Sequence, residues 1–234
     1  MEFLIIILIC LISILILGYI YGFNFKNIKK IKELGFSKEL NEITNKLPEN
    51  TVVCEEVLKQ IDNFGKVKVV QDKNENVKAS FYIAVTNTIS IANINKTCTR
   101  IQTIAHECIH SIQDRKILMF NFIFSNIYII YFFIISVLAL FNKLNNPFIH
   151  LFILTLFGFI YYKVRGFLET DAMTRAPFIA NTYIKNTNIL TDDEVNKIMD
   201  CYKQINDIGI KIANLNLYVK CIIKIIIFCI ICII

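Results

Sequence analysis

The chain has 234 residues, 55% of them hydrophobic, with a mean hydropathy of +0.54 and a formal net charge of +6. That apolar share exceeds the roughly 45–50% of soluble domains, and 7 glycines and 3 prolines exclude a collagen-like or low-complexity chain. Abundant Ile and Phe exclude intrinsic disorder, and no contiguous basic stripe suggests nucleic acid as a partner.

Residues 3–21 carry no charge, enough helix to cross a hydrocarbon core of about 30 Å. The segment starts Met1-Glu2 and exits through Tyr21-Gly22-Phe23 into lysines, so it reads as an uncleaved anchor. Ile28, Ile31 and Leu34 give residues 26–46 amphipathic helical spacing that ends at Pro48. A short helix is expected from Thr51 to Asn63, closed by Phe64-Gly65. KVKVVQ, residues 66–71, alternates like a strand, and DKNEN follows as a polar turn. Two more strands are expected in 79–85 and 88–92, joined at Thr86-Asn87. After the polar stretch Asn93 to Thr99, a helix is expected from about Thr97 to Lys116.

Residues 117–141 are uncharged and predict a second span; 147–162 predict a third, with NKLNN as a hairpin loop. Residues 217–234 make a weaker fourth span, because Lys220 and Lys224 must snorkel to an interface. The expected organisation is an anchor (1–23), an α+β segment (24–116), a membrane hairpin (117–162), a helical segment (163–216) and a closing span (217–234). Basic residues beside the spans (Lys26, Lys29, Lys30, Lys32, Arg115, Lys116, Lys163, Arg165) outnumber the one in the hairpin loop, Lys143. By the positive-inside rule, 24–116 and 163–216 face the cytoplasm and both termini lie outside. Cys54, Cys98, Cys108 and Cys201 then sit where thiols stay reduced, and Cys10, Cys221, Cys229 and Cys232 read as small apolar residues.

The chemistry concentrates in TIAHECIHSIQD. His106, Glu107 and His110 form H-E-x-x-H, and two of the three histidines of the chain are spent on it. Histidines four apart share one face of a helix, about one turn apart, which suits two imidazole ligands on Zn²⁺. Bound zinc lowers the pKa of a water to roughly 7, and Glu107 is placed to take its proton. Ile104, Ala105, Ile109 and Ile112 make the helix largely buried, against a reading as two solvated histidines. Cys108 is about 200° round the helix from His106 and is expected to pack.

A hydrolytic zinc needs a third protein ligand. Position 116 is Lys, so a third histidine six residues on is absent, and His150 is expected at the far end of the third span. The ligand is therefore sought in VRGFLETDAMTRA. Glu169 follows the third span, and two intervening spans return it to the face of His106. Asp171 is the rival, projecting from the other side of a helix. Asp171 and Arg175 at i, i+4 read either as a surface pair or as support for a ligand histidine.

These motifs resemble the bacterial membrane-bound neutral zinc metallopeptidases of the YugP type. TVVCEEVLKQIDNFGKVKVV is similar to that family's helix–turn–strand segment and SFYIAVTNTISIA to its strand pair. AHECIHSIQ resembles A-H-E-x-x-H-A-x-Q with Ser111 for the second Ala, and ETDAMTRA resembles E-x-D-A-x-x-R-A. The resemblance implies a mainly α membrane protein with a small α+β zincin-like catalytic unit in a bacterial plasma membrane. It implies one Zn²⁺ per chain on His106, His110 and Glu169, with Asp171 and Arg175 in support. Two departures stand out: Ile109 where the family has Gly, crowding the back of the helix, and Pro177, expected to interrupt the later helix. HtpX-type membrane proteases share the H-E-x-x-H, hairpin and later Glu, but their E-x-x-A-D is not present.

The leading expectation is a membrane-anchored zinc metallopeptidase with Glu107 as general base, acting on peptides or proteins, membrane-associated ones among them. Residues 88–92 are the expected edge strand for substrate. Arg175, Tyr82 and Tyr183 are equal candidates for the oxyanion partner. The alternatives are a non-catalytic zinc-binding membrane scaffold and an intramembrane protease; polar residues 93–100 oppose the latter.

Overall fold

The computed structural model describes residues 1–72, 79–92 and 97–234. It is mostly helical, with the order α1 (Glu2–Ile20), α2 (Phe25–Gly35), α3 (Lys38–Asn45), α4 (Asn50–Gln60), β1 (Lys68–Gln71), β2 (Phe81–Ile83), β3 (Thr88–Ile91), α5 (Arg100–His110), α6 (Arg115–Leu140), α7 (Pro147–Thr187) and α8 (Asp192–Ile231). The chain divides into two compact units. One holds 1–24, 119–169 and 211–234; the other holds 25–118 and 170–210.

Among the described residues four helices, α1, α6, α7 and α8, are long and apolar enough to cross a membrane; the first unit contains α1, nearly all of α6, the first part of α7 and the last part of α8. Its core gathers Tyr128, Phe132, Ile135, Leu154, Phe228 and Cys229. At Gly158 an added Cβ would lie 3.0 Å from the Tyr128 hydroxyl and 3.4 Å from Cys221 Cβ, so the missing side chain is what lets α6 and α8 close on α7. The loop between α6 and α7 turns on Asn142 and Asn146, both in the left-handed region (φ 54° and 51°), a conformation Asn tolerates better than most residues. His150 bonds Tyr131 Oη at 3.0 Å within this unit.

Several long helices run past their expected ends. α7 continues through Pro177, which was expected to interrupt it. The proline removes one N–H from the ladder, yet Ala176, Ala180, Tyr183 and Ile184 on either side are all buried in one core, and that packing holds the segment helical. α8 begins at Asp192, well before the apolar run. Thr191 Oγ1 accepts from Glu194 N (3.3 Å), and Glu194 Oε2 accepts from Thr191 N (3.1 Å), a reciprocal capping box.

The globular unit packs α2–α5, the later half of α7 and the first half of α8 around one core of Val53, Val57, Ile89, Ile101, Ala172 and Tyr202. The expected helix over 26–46 is two helices, α2 and α3, and Ser37 Oγ accepts from Leu40 N at the start of the second. α4 stops at Gln60 and the chain reverses at Asp62 (φ 55°), ahead of Gly65 (φ 77°). The polar turn expected at DKNEN and most of Asn93 to Thr99 lie outside the described residues.

The sheet order is β1-β3-β2, with β1 parallel to β3 and β2 antiparallel to it. β3 is therefore central, and residues 88–92 are not the edge strand expected for substrate. Three of its four residues are buried, as befits a strand paired on both sides. Both of its ladders are filled, so strand addition is available only at β1 or β2. The helix expected from Thr97 to Lys116 is also shorter. α5 covers Arg100–His110, the Ser111 hydroxyl donates to Cys108 O at 2.6 Å, and α6 starts afresh where Asp114 Oδ1 accepts from Lys116 N at 2.7 Å.

Arg100 anchors the first turn of α5. Its Nη1 donates to Pro48 O and Asn50 Oδ1 (2.8 and 2.9 Å), and its Nη2 to Thr44 O and Leu47 O (2.7 and 2.8 Å). The side chain is buried, and burial pulls its pKa down from the usual guanidinium value. One planar donor fork thus satisfies four acceptors of the α3–α4 connection. Arg100→Met should leave those acceptors without donors and cost on the order of 3 kcal/mol or more, lowering the thermal midpoint of the detergent-solubilised protein.

Candidate metal centre

α5 carries both histidines of H-E-x-x-H because its opposite face, Ile101, Ile104, Ala105, Cys108 and Ile109, is wholly buried in the core. Ile109, expected to crowd the back of the helix, is accommodated there with no exposed surface. Cys108 likewise faces the core, with its Sγ 3.7 Å from Cys54 Sγ. The bond to Cys54 and burial push the Cys108 thiol well up, so it stays protonated and unreactive.

The Nε2 atoms of His106 and His110 stand 3.1 Å apart, with the rings nearly perpendicular. Two tetrahedral ligands at about 2.05 Å from a common ion would be about 3.3 Å apart, so this spacing fits a shared metal. On α7, Glu169 begins the stripe Glu169, Ala172, Ala176, Ala180, whose alanines belong to the same buried cluster as Ala105 and Cys108. The division between the units falls between Glu169 and Thr170, inside this continuous helix. The ligand atoms of His106, His110 and Glu169 all lie within 4.8 Å of one another, and this group can hold a metal ion. Arg165, one turn earlier, contacts Glu169 Oε1 at 2.5 Å and restrains the carboxylate.

The other ring nitrogen of His110 is also fixed. Its Nδ1 is 2.8 Å from Gln113 Oε1, and Gln113 Nε2 donates to Asp171 Oδ2 at 2.8 Å. The carboxylate can only accept, so the amide must turn its NH₂ to Asp171 and its oxygen to the imidazole. His110 therefore carries its proton on Nδ1 and presents the Nε2 lone pair toward His106. Arg175 Nη1 approaches the same Asp171 oxygen at 3.5 Å. Asp171 is thus not a member of the His106–His110–Glu169 group but reaches His110 through Gln113. Gln113 was not assigned a role from sequence, although it stands at i+3 from His110 and so on its face of the helical path.

Glu107 is buried, with 7% of its surface exposed, between the two histidines on α5. Of the three oxyanion candidates, Tyr183 lies 14 residues beyond Glu169 on one helix, about 21 Å along the axis, and is out of reach. The Tyr82 hydroxyl donates to Asn87 Oδ1 at 2.8 Å, and Arg175 is engaged with Asp171. A cleft of about 290 Å³ adjoins the first half of α5, lined by Asn50, Ser80, Ala92, Thr97, Thr103 and Ile104 among others.

No protein-family model, curated protein or solved structure matches the chain at a significant level.

Gln113→Ala should lower metal affinity by about 10- to 100-fold while leaving helicity unchanged, measured by competition with a chelator. Glu169→Ala should reduce the metal retained after dialysis far more than Asp171→Ala, measured by elemental analysis; equal retention in both would remove Glu169 from the ligand set.

Proposed function

We propose that this chain is a membrane-anchored zinc metallopeptidase in which His106, His110 and Glu169 hold the metal. The observation that carries the reading is the convergence of two imidazole nitrogens and one carboxylate around a point, with one imidazole locked in the ligating tautomer. Two histidines and a glutamate are a donor set suited to Zn²⁺ and to a catalytic rather than closed structural site. The similarity of AHECIHSIQ and ETDAMTRA to the YugP-type pattern supports the same assignment.

When bound, the metal would supply Lewis acidity toward a water and a peptide carbonyl. Glu107 takes the proton of the attacking water and delivers it to the departing amine, a transfer that benefits from its buried position next to His106. Gln113 and Asp171 keep His110 from rotating during that exchange. Substrate backbone adds to the outer edge of β2 rather than to β3, since β2 packs on α5 and its other side alone is used by β3. The cleft beside Thr103 and Ile104 then receives a substrate side chain.

The catalytic segments face the cytoplasm in this reading, as the basic residues flanking the spans require. Glu169 follows Tyr162, the end of the apolar run on α7, by seven residues, roughly 10 Å of helix. The site therefore works close to the bilayer surface, and its substrates are peptides or proteins presented there.

Glu107→Gln should retain one equivalent of zinc and lose at least about 10²-fold in peptide hydrolysis. Undiminished cleavage by this variant in proteoliposomes would eliminate the mechanism, and zinc retention with no cleavage by the unaltered chain across a broad peptide library would favour a scaffold instead.

A further inference from the structure

A second surface has a chemistry of its own, independent of the histidine cluster. α2 carries four lysines, Lys26, Lys29, Lys30 and Lys32, against one acidic residue, Glu33. Glu33 pairs with Lys29 at 3.6 Å, and Lys26, Lys30 and Lys32 have no acidic partner among the described residues. Ile31 and Leu34 turn inward, and Leu34 packs against the globular core. That orientation leaves Phe25 92% exposed and Phe36, just past the helix end, 67% exposed. At 100° per residue, Phe25, Lys29 and Lys32 fall within about 60° of one another, so aromatic and basic groups share one outward arc.

Chain connectivity says what this arc meets. Residues 21–24 alone separate α2 from Ile20, the last residue of the apolar helix α1. Five residue steps, even fully extended, keep the start of α2 within roughly 17 Å of the end of that span. Phenyl rings tethered within that distance of a span can reach the boundary between headgroups and acyl chains, and ammonium groups beside them can reach lipid phosphates.

We propose that the outward arc of α2 docks on anionic phospholipid headgroups of the membrane entered by α1, with Phe25 inserted and Lys29, Lys32 and the flanking Lys26 neutralising the surface. Each lysine near an anionic leaflet shifts the docked-to-undocked ratio by about fivefold, so the preference for anionic over zwitterionic lipid is steep.

The chain has no Trp, so Phe25→Trp introduces the only indole. The full-length variant would be reconstituted in vesicles of phosphatidylcholine, with or without phosphatidylglycerol, each made with brominated acyl chains. Docking predicts strong quenching only where phosphatidylglycerol is present, and loss of that quenching when Lys26→Glu and Lys32→Glu are added. Equal quenching in the two lipids, or none in either, overturns the proposal. The unaltered chain provides a second reading: Lys26 and Lys32 should be protected from a water-soluble amine-acylating reagent in anionic vesicles and labelled in zwitterionic ones, and equal labelling in both would also overturn it. Neither readout depends on peptide hydrolysis.

Discussion

Two imidazole nitrogens 3.1 Å apart cannot both point lone pairs at each other unless a hydrogen or a cation lies between them. A proton on one ring meets that condition, and so does a divalent cation. His110 has already committed its own proton to Gln113 through Nδ1, which leaves its Nε2 as a donor of electrons only. The nearby carboxylate of Glu169 adds the third negative or neutral ligand that a cation, rather than a proton, would use. Most of the surrounding structure can be understood as holding this electrostatically demanding arrangement in place.

α5 is secured at both ends by unlike means. Its N-terminal turn is held by a buried guanidinium that gathers the carbonyls of the α3–α4 connection. Its C-terminal end is held by the relay from His110 through Gln113 to Asp171. Between them, Cys54 against Cys108 and the alanine stripe of α7 give close packing with small side chains. Small residues matter here because a bulkier side chain at Ala172 or Ala176 would separate α7 from the core and carry Glu169 with it.

How much of this was legible in the sequence depends on whether the signal is local. The four long apolar helices and the histidine pair were legible, since uncharged runs and an i, i+4 spacing are properties of neighbouring residues. The third ligand required knowing that a hairpin brings distant segments to one side, and Glu169 and Asp171 could not be separated by spacing alone. Strand order is a non-local property, which is why β3 was mistaken for an edge. The early start of α8 is written in Thr191-Asp192-Asp193-Glu194, a capping-box pattern that lies well ahead of the apolar run. Pro177 misled in the opposite direction, because a propensity rule was outweighed by tertiary burial on both sides of it.

The interposed α6–α7 hairpin has a consequence for biogenesis. Glu169 leaves the ribosome 59 residues after His110 (169 − 110), with a pair of apolar helices in between. At about 5–20 residues per second, translation imposes a delay of roughly 3–12 s during which the nascent chain has both imidazoles but lacks the carboxylate. The three-ligand cluster cannot exist until that hairpin has been made and folded back. A chain stalled or misfolded at this stage would hold two of the three side chains and lack the third, so completion of the cluster reports completion of the hairpin.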